Sequence, residues 1–395
     1  MAGLSLGTEL EALLSEDLGS VVRREQTTFD ERTAPLSEAL VLFGAGRLGR
    51  AVLAGLRRAG VEPLAFTDNN PALWGKAVDG VQVLSPGDCA ERFGQSAAFV
   101  ITIWNGNAAD RMADRRRQLR DLGCSRIIPF APLFWKYASI FLPHYCLDLP
   151  HKVIQQGDSV RQALGLWADE ASRCEYIRQL NWRMSLDFDQ LLPPTAGKQY
   201  FPDDLFRPSS DEVFVDCGAF DGDTIGGFIR RQASFGRIIA FEPDPANMQN
   251  LQRRVSALPE AMQTRIALMR LAVGSHRGKV PFRAMGTDLS AVGSGALEID
   301  CLPLDEALED CTPTYIKMDI EGSELQALTG AQKIIKRTLP VLAICAYHHQ
   351  SDLWQIPLFI RAMFDDYRLY LRPHGSEGWD LVCYAVPVSR PGQPT

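Results

Sequence analysis

The stretch from Val213 to Thr224 constrains this chain more than any other. It reads VFVDCGAFDGDT, an apolar run that breaks into glycines and aspartates. This change predicts a buried strand that turns tightly into a helix. Further along, a second apolar run ends at Glu242. A glycine turn after one strand and an acid after the next predict a nucleoside site in a doubly wound sheet, because the backbone approaches the ligand and the carboxylate accepts from the ribose hydroxyls.

The charge of this turn narrows the choice of ligand. Asp216, Asp221 and Asp223 would repel a pyrophosphate but suit a cationic ligand. S-adenosylmethionine carries a sulfonium and an ammonium group and no phosphate, so we predict it as the cofactor in preference to NAD or FAD. The alternative is a structural turn whose acids cap the next helix. The residues predicted to bind the cofactor are Asp216, Cys217, Gly218, Ala219, Asp221, Asp223, Thr224, Glu242, Pro243, Asn247, Ala272 and Asp319.

Polar residues also follow two later apolar runs, at Asp319 and His348. In a parallel sheet they would reach the same edge as the glycine turn. We predict that Asp319 lies beside the reacting methyl group, and that Lys317 and Glu321 place the substrate. His348 is the predicted general base for an alcohol. The alternatives are helix-start chemistry for the acids and a structural role for the histidine.

A divalent metal is a further alternative at this edge. Asp319, Glu321, His348 and His374 are ligands of the right chemical types. They show no tight ligand spacing, so the expectation from the sequence is that no metal is bound.

Five segments in order resemble one known family. They are QYFPDDLF (199–206), VDCGAFDGDT (215–224), AFEPDP (240–245), IKMDIEGSE (316–324) and AYHHQSDLW (346–354). Together, over residues 199–386, they resemble the FkbM family of S-adenosylmethionine-dependent methyltransferases. The resemblance implies a class I methyltransferase sheet of seven strands and O-methylation of a hydroxyl, often on a sugar or polyketide-like metabolite. One departure is that RLAVG (270–274) offers no acid for the adenine amine, so adenine contacts are expected from backbone near Ala272.

A second glycine turn lies nearer the start of the chain. Gly44, Gly46 and Gly49, with Asp68 downstream, complete a dinucleotide fingerprint by their spacing. They predict a small Rossmann-like domain that binds a nucleotide or nucleotide-sugar. A structural or dimerising role and NAD-dependent redox chemistry stay open, the latter weakened by the lack of a Tyr-x-x-x-Lys pair. The alternative functions of the chain are thus an NAD(P)-linked oxidoreductase or a non-catalytic scaffold.

These patterns divide the chain into four parts. Residues 1–35 are predicted to be an amphipathic helix and a polar lead, and 36–135 the small Rossmann-like domain. Residues 136–198 form a helical connector, and 199–390 the methyltransferase-like domain. The predicted fold class is therefore α/β, with two Rossmann-like domains joined by a helical connector. The insert 283–297, with three glycines, is expected to contribute to substrate choice together with the connector 136–200 and the first domain.

Composition limits the partners and the compartment. A net charge of −7 and a pI near 5.5 argue against nucleic acid, so a small-molecule or sugar substrate is expected, with a possible homodimer. The basic run 115–117 is predicted to be a solvated helix face. Nine cysteines without a Cys-x-x-Cys pair indicate free thiols. With an acidic N-terminus and no membrane-length apolar run, the expected location is cytoplasmic, away from any membrane.

Overall fold

Two parallel sheets organise the fold. The computed structural model describes residues 5–191, 194, 198–232, 234–285, 291–293, 295 and 297–390. The first sheet has the strand order β3-β4-β2-β1-β5-β6, and only β3 is antiparallel to its neighbour. Its strands are β1 (Leu40–Phe43), β2 (Ala65–Thr67), β3 (Ala77–Val78), β4 (Val81–Leu84), β5 (Ala98–Ile101) and β6 (Arg126–Pro129). The helices up to this point are α1 (Leu6–Leu14), α2 (Leu18–Thr33), α3 (Arg47–Arg58), α4 (Pro86–Phe93) and α5 (Met112–Asp121).

The prediction that residues 1–35 form one helix followed by a polar stretch is wrong, because the second half of this segment forms the helix α2. Asp17 caps this helix by accepting a hydrogen bond from the Ser20 amide at 2.8 Å. Its sequence is mostly polar, yet Val21 and Phe29 are buried on one face two turns apart. Such a sparse apolar stripe gives a weak periodic signal, and tertiary packing stabilises the helix.

A series of helices connects the two sheets. They are α6 (Ala131–Lys136), α7 (Ala138–Phe141), α8 (His151–Gln155), α9 (Gly157–Leu164) and α10 (Glu170–Ser185). The last of them buries Tyr176 and Trp182 completely. Ahead of it, Asp169 forms an ion pair of 2.6 Å with Arg372 on a strand of the second sheet. The connector is therefore packed against the second sheet as a structural part of it.

The second sheet has seven strands in the order β16-β17-β15-β14-β7-β8-β9. Only β17 runs antiparallel to its neighbours. These strands are β7 (Val213–Cys217), β8 (Arg237–Phe241), β9 (Ile266–Met269), β14 (Tyr315–Met318), β15 (Val341–Cys345), β16 (Tyr367–Pro373) and β17 (Leu381–Pro387). The order reverses between β7 and β14, and such a switch point leaves a crevice beyond the carboxyl ends of the strands.

The helices of this second part are α11 (Asp223–Arg231), α12 (Pro245–Ser256), α13 (Glu260–Gln263), α14 (Leu304–Ala307), α15 (Glu324–Thr329), α16 (Gln332–Thr338) and α17 (Asp352–Met363). The helices α15 and α16 are separated at Gly330. A Cβ there would lie 2.0 Å from the carbonyl oxygen of Gly274, so a close backbone approach requires glycine.

A short strand follows β9 and belongs to a different sheet. This strand, β10 (Ala272–Val273), joins β11 (Gly278–Arg283), β12 (Ala291–Val292) and β13 (Leu297–Leu302) in a separate four-stranded sheet. Within the insert 283–297, Gly286 lies outside the described residues, whereas Gly293 and Gly295 are described.

The prediction of a solvated basic face is wrong for Arg115. Its side chain is 1% exposed and forms an ion pair of 2.6 Å with Asp110. It also donates to the carbonyl oxygen of Ile103 at 2.9 Å, because its face of α5 is turned toward the end of β5. Arg117 does lie in solvent, with 66% of its side chain exposed.

All nine cysteines are free thiols, and Cys217, Cys345 and Cys383 are buried, as predicted. Within the described part of the chain, none of the helices has the length and apolar character needed to cross a membrane.

Candidate active site

A cavity of about 450 Å³ lies at the carboxyl ends of β7, β8 and β14. Several predicted site residues line it: Gly218, Asp223, Thr224, Glu242, Pro243, Asn247, Ala272, Lys317, Asp319 and Glu321. Others do not: Asp216, Cys217, Ala219, Asp221 and His348. The structure therefore brings most of the predicted residues together around one space, and it gives the rest supporting positions.

The glycine turn after β7 is fixed by its neighbours. Gly218 has φ +81°, and a Cβ on it would lie 1.8 Å from the carbonyl oxygen of Asp319. The amides of Gly218 and Ala219 both donate to the carbonyl oxygen of Phe241 at 3.0 Å. Only glycine allows β7 and β14 to end this close together, so the turn carries backbone to the edge of the cavity.

Glu242 is held in place by this turn and by the start of α12. Its carboxylate accepts hydrogen bonds of 2.8 Å from the amides of Phe220 and Asp244. Burial raises the pKa of Glu242 to about 7, although the two amides oppose that change. A buried acceptor aimed along the cavity wall is suited to the hydroxyl groups of a ribose.

Asp216 and Lys317 form a buried ion pair of 2.9 Å beneath the turn. Lys317 Nζ also donates to the carbonyl oxygen of Gly218 at 2.7 Å. Burial alone would lower the pKa of Lys317, but the charges of Asp216 and Asp319 outweigh it and raise that pKa. Asp216 therefore positions the turn through Lys317 and does not face the cavity. Asp221 likewise faces away, in an ion pair of 2.5 Å with Arg254.

His348 lies behind the cavity wall among carboxylates. Its Nδ1 is 2.9 Å from Glu324, and its Nε2 is 3.4 Å from Asp319 and 3.5 Å from Glu321. Burial opposes a charge on the ring, but the carboxylates, Glu324 first, raise the pKa of His348 well above its ordinary value. A buried imidazole held among carboxylates in this way has no access to the cavity, so the predicted role of general base does not fit it.

Asp319 and Glu321 face the cavity from the end of β14. Tyr200 donates its hydroxyl to Asp319 Oδ2 at 2.7 Å, which fixes that carboxylate. Burial would raise the pKa of Asp319, but the charge of Lys317, with that of His348, lowers it. Glu321 has φ +55°, a left-handed conformation that turns its side chain toward the cavity rather than along the following helix.

The opposite wall comes from the first sheet and was missed in the sequence. Arg47 at the start of α3 and Trp104, Asn105 and Gly106 after β5 line the cavity with Trp379. A tryptophan, an amide and a glycine directly after a buried strand were the available signal. That signal does not say which domain the strand end faces.

The fingerprint glycines of the first sheet have packing roles. A Cβ on Gly49 would lie 1.9 Å from the carbonyl oxygen of Gly44, and one on Gly44 would lie 2.4 Å from Ile103. Asp68 accepts from the amides of Ala45 and Asn70 at 2.8 Å, so it holds the turn. Gly46, by contrast, has open space where a Cβ would be. A nucleotide at this turn stays a prediction.

Comparison with known families decides the nature of the second sheet. Residues 216–377 match the family profile described as the methyltransferase FkbM domain. The chain carries an FkbM methyltransferase domain. Most of the cavity described above is lined by this domain. Residues of the first sheet and its loops form part of the remaining wall, and Gln199, Tyr200, Trp379 and Asp380 flank the matched range.

Solved structures extend the comparison to the whole chain. Methyltransferase FkbM from Methylobacillus flagellatus KT is 24% identical, covers 96% of this chain and 98% of its own, and superposes with a TM-score of 0.75. The two proteins share their fold from the N-terminal helices to the last strand of the FkbM domain.

Other solved structures are more distant. An rRNA methylase from Clostridium thermocellum is 9% identical over 48% of this chain and 92% of its own, with a TM-score of 0.33. SMU.1697c from Streptococcus mutans, in complex with S-adenosylhomocysteine, is 11% identical over 46% of this chain and 92% of its own, with a TM-score of 0.26. These scores are too low to support an argument. No curated protein matches the chain significantly.

Proposed function

We propose that the FkbM domain transfers a methyl group from S-adenosylmethionine to a hydroxyl oxygen of a sugar, a glycan precursor or a polyketide-like metabolite. The observation that carries this proposal is a single cavity that joins Glu242 and the glycine turn at one side to the carboxylates of Asp319 and Glu321 at the other. A methyl donor and a hydroxyl acceptor must meet between such groups.

The residues present fit S-adenosylmethionine. Gly218 leaves no side chain between the backbone and the cavity, and Glu242 offers a buried acceptor for ribose hydroxyls. Asn247, 1% exposed, adds an amide at the start of α12. Asp223 and Asp319 add negative charge along the path of a sulfonium and an ammonium group. When bound, the cofactor supplies an electrophilic methyl carbon.

The chain itself then has to orient the acceptor and remove a proton. The acceptor oxygen forms the new bond to the methyl carbon as the carbon–sulfur bond breaks, and S-adenosylhomocysteine leaves with that electron pair. The hydroxyl proton passes to a carboxylate of Asp319 or Glu321, because these bases line the cavity and His348 does not. Much of the rate comes from holding the two reactants in line.

The aromatic wall gives the acceptor a place to bind. Trp104 and Trp379 have ring centroids 4.8 Å apart, and Tyr347 lies 5.8 Å from Trp379. Flat apolar faces beside hydroxyl-binding carboxylates suit a sugar or other polyhydroxylated ring. Arg47, which makes no ion pair with the described residues, adds a cation at the same end of the cavity. The first domain would therefore select the acceptor.

Two measurements test the proposal. Calorimetry should detect one S-adenosylhomocysteine per chain and no NADH, and labelled cofactor should transfer its methyl group to hydroxyl-bearing compounds of a cell extract. In Trp104→Ala we expect KM for the acceptor to rise at least tenfold with cofactor affinity unchanged, since one face of the ring site is removed. Tight NADH binding with turnover would favour the oxidoreductase, and cofactor binding without transfer to any acceptor would favour the scaffold.

A further inference from the structure

The cluster at and behind the cavity wall holds three carboxylates around one imidazole. Asp319, Glu321 and Glu324 all face the imidazole of His348. The ion pair of Lys317 with a separate carboxylate leaves that lysine only partly available to balance them. Buried carboxylates are costly unless a cation compensates for them.

The contacts around His348 are not those of a completed hydrogen-bond network. Its Nε2 lies 3.4 Å from Asp319 and 3.5 Å from Glu321, longer than N–H···O bonds of about 2.7–3.2 Å. Within the described residues, neither ring nitrogen makes a hydrogen bond of good angular geometry, and this includes the 2.9 Å contact between Nδ1 and Glu324; Oε2 of Glu324 has no partner either. The side chains of His348 and Glu324 are 2% and 1% exposed, so bulk water cannot satisfy these atoms.

Three of these side chains lie close enough to be ligands of one ion, although the 2.9 Å contact of Glu324 is to Nδ1 and the longer contacts of Asp319 and Glu321 are to Nε2. Two ligand atoms each about 2.1 Å from a metal lie about 3.0–3.4 Å apart in octahedral or tetrahedral geometry. Asp319, Glu324 and His348 can each place a ligand atom within 4.8 Å of the other two. The nearest pair is His348 Nδ1 and Glu324, at 2.9 Å.

We propose that Asp319, Glu324 and one ring nitrogen of His348 bind a divalent transition-metal ion, with Glu321 reaching the ion from the cavity side. Carboxylate and imidazole ligands together suit Mn²⁺, Fe²⁺ or Zn²⁺ better than an ion held by oxygen alone. This set differs from the one weighed in the sequence. His374 does not belong to it, since its Nε2 lies 2.8 Å from the hydroxyl of Tyr384, and Glu324 does.

The position of the ion would give it a role in the proposed methyl transfer, and that role rests on the proposed function. Asp319 and Glu321 line the cavity, so an acceptor hydroxyl beside them can coordinate the ion. A coordinated hydroxyl loses its proton at a lower pH, because the alkoxide is stabilised by the cation. The proton passes to Glu321 and then to water, and the alkoxide oxygen bonds to the methyl carbon while the carbon–sulfur bond breaks.

Metal binding can be tested without activity. The full chain, stripped with a chelator and desalted, is titrated with Mn²⁺ followed by electron paramagnetic resonance, and with Co²⁺ followed by visible absorption. We expect one tight Mn²⁺ per chain and Co²⁺ bands that report nitrogen and oxygen ligands. Glu324→Gln should weaken Mn²⁺ binding at least tenfold. The substitution keeps an oxygen that can accept the 2.9 Å hydrogen bond from the Ile320 amide, so the local backbone should be preserved. Glu321→Gln, at the cavity edge, should weaken Mn²⁺ binding less.

Glu242→Gln is the matched control, because it makes the same change in a second buried acid, one that lines the cavity. Glu242→Gln should weaken S-adenosylhomocysteine binding and leave Mn²⁺ affinity unchanged. Glu324→Gln should weaken Mn²⁺ binding and leave S-adenosylhomocysteine affinity unchanged. Absence of Mn²⁺ and Co²⁺ binding in a wild-type chain that binds S-adenosylhomocysteine would overturn the metal site alone. Retention of wild-type Mn²⁺ affinity in Glu324→Gln would overturn the ligand assignment. Metal binding without any cofactor binding would instead count against the proposed function.

Discussion

Glu242 makes both stability and cofactor affinity depend on pH. In the folded chain its pKa is about 7, against an ordinary value of 4.5, because the carboxyl is buried. At about 1.4 kcal/mol per pKa unit, this difference corresponds to about 3 kcal/mol. The raised pKa means that the folded chain holds the proton more tightly than the unfolded chain. The contribution is thus fully present below pH 4.5 and is lost as the pH rises to about 7.

The perturbation is Glu242→Gln, which removes the proton equilibrium while keeping the size of the side chain. Its amide can accept only one of the two 2.8 Å bonds from Phe220 and Asp244 with its oxygen, so we expect the variant to be less stable by about 1–3 kcal/mol at pH 5. The deficit should shrink or reverse by pH 8, since the wild type then carries a buried charge. Urea unfolding at both pH values measures the change.

Cofactor affinity should vary in the opposite direction. Ribose hydroxyls donate best to the ionised carboxylate, so S-adenosylhomocysteine should bind more tightly as the pH rises to about 7, by at most about tenfold per pH unit. In Glu242→Gln this rise should disappear, and affinity at pH 8 should fall about 10- to 150-fold, the value of a hydrogen bond to a charged group. Calorimetry in buffers of different ionisation enthalpy would show proton release in the wild type alone. An unchanged pH profile in the variant would refute the assignment of Glu242 to the ribose.

Three other substitutions test the frame of the site. Gly218→Ala should lower the free energy of unfolding in urea by several kcal/mol, because its Cβ would lie 1.8 Å from a carbonyl oxygen. As a control, Gly227→Ala inside α11 should be neutral or stabilising by up to about 1 kcal/mol. Equal effects of the two substitutions would contradict the requirement for glycine at position 218. Lys317→Met should lower the free energy of unfolding by about 3–5 kcal/mol, because it leaves Asp216 buried without its 2.9 Å partner. Thermal unfolding should show a smaller loss of stability at pH 5 than at pH 8, because Asp216 is protonated more readily at pH 5. Glu377→Ala should raise KM for the acceptor more than it changes cofactor affinity, since the Glu377 carboxylate accepts a hydrogen bond from the Met112 amide at the start of α5, near the aromatic wall. Equal changes in KM and in cofactor affinity would rule out this role of Glu377.

The sequence predicted the side of the cavity that carries Gly218 and Glu242, because the signals there are local. A buried strand followed by glycine and acids can be recognised within a few residues, as at Gly218 and Glu242. Local patterns do not show which way a side chain points. Asp216 lies in strand β7 and faces Lys317, whereas the neighbouring turn faces the cavity. The same limit explains His348, whose position at the end of a strand indicated the correct edge of the sheet but not the layer behind the wall.

The acceptor side could not be predicted, because it depends on contacts between distant segments. Trp104 follows a strand of the first sheet, and its ring nitrogen donates to the carbonyl oxygen of Glu377 at 3.0 Å. Arg115 of α5 lies 4.0 Å from the Glu377 carboxylate, with both side chains 1% exposed. Each residue alone reads as an ordinary loop or helix residue, and only the docking of the two sheets makes them one structure.

This docking bears on why the chain has a second Rossmann-like sheet. The FkbM domain supplies the glycine turn and the carboxylates of the cavity. Arg47 and Trp104 of the first domain form part of the opposite wall. Gly44 and Gly49 are needed for the packing of the first sheet, so these two glycines of the fingerprint are explained without a dinucleotide. A domain that presents a tryptophan, an amide and a guanidinium to a neighbouring cavity is suited to recognising an acceptor. On this reasoning, exchange of the segment after β5 between related chains would change the acceptor and leave the methyl donor the same.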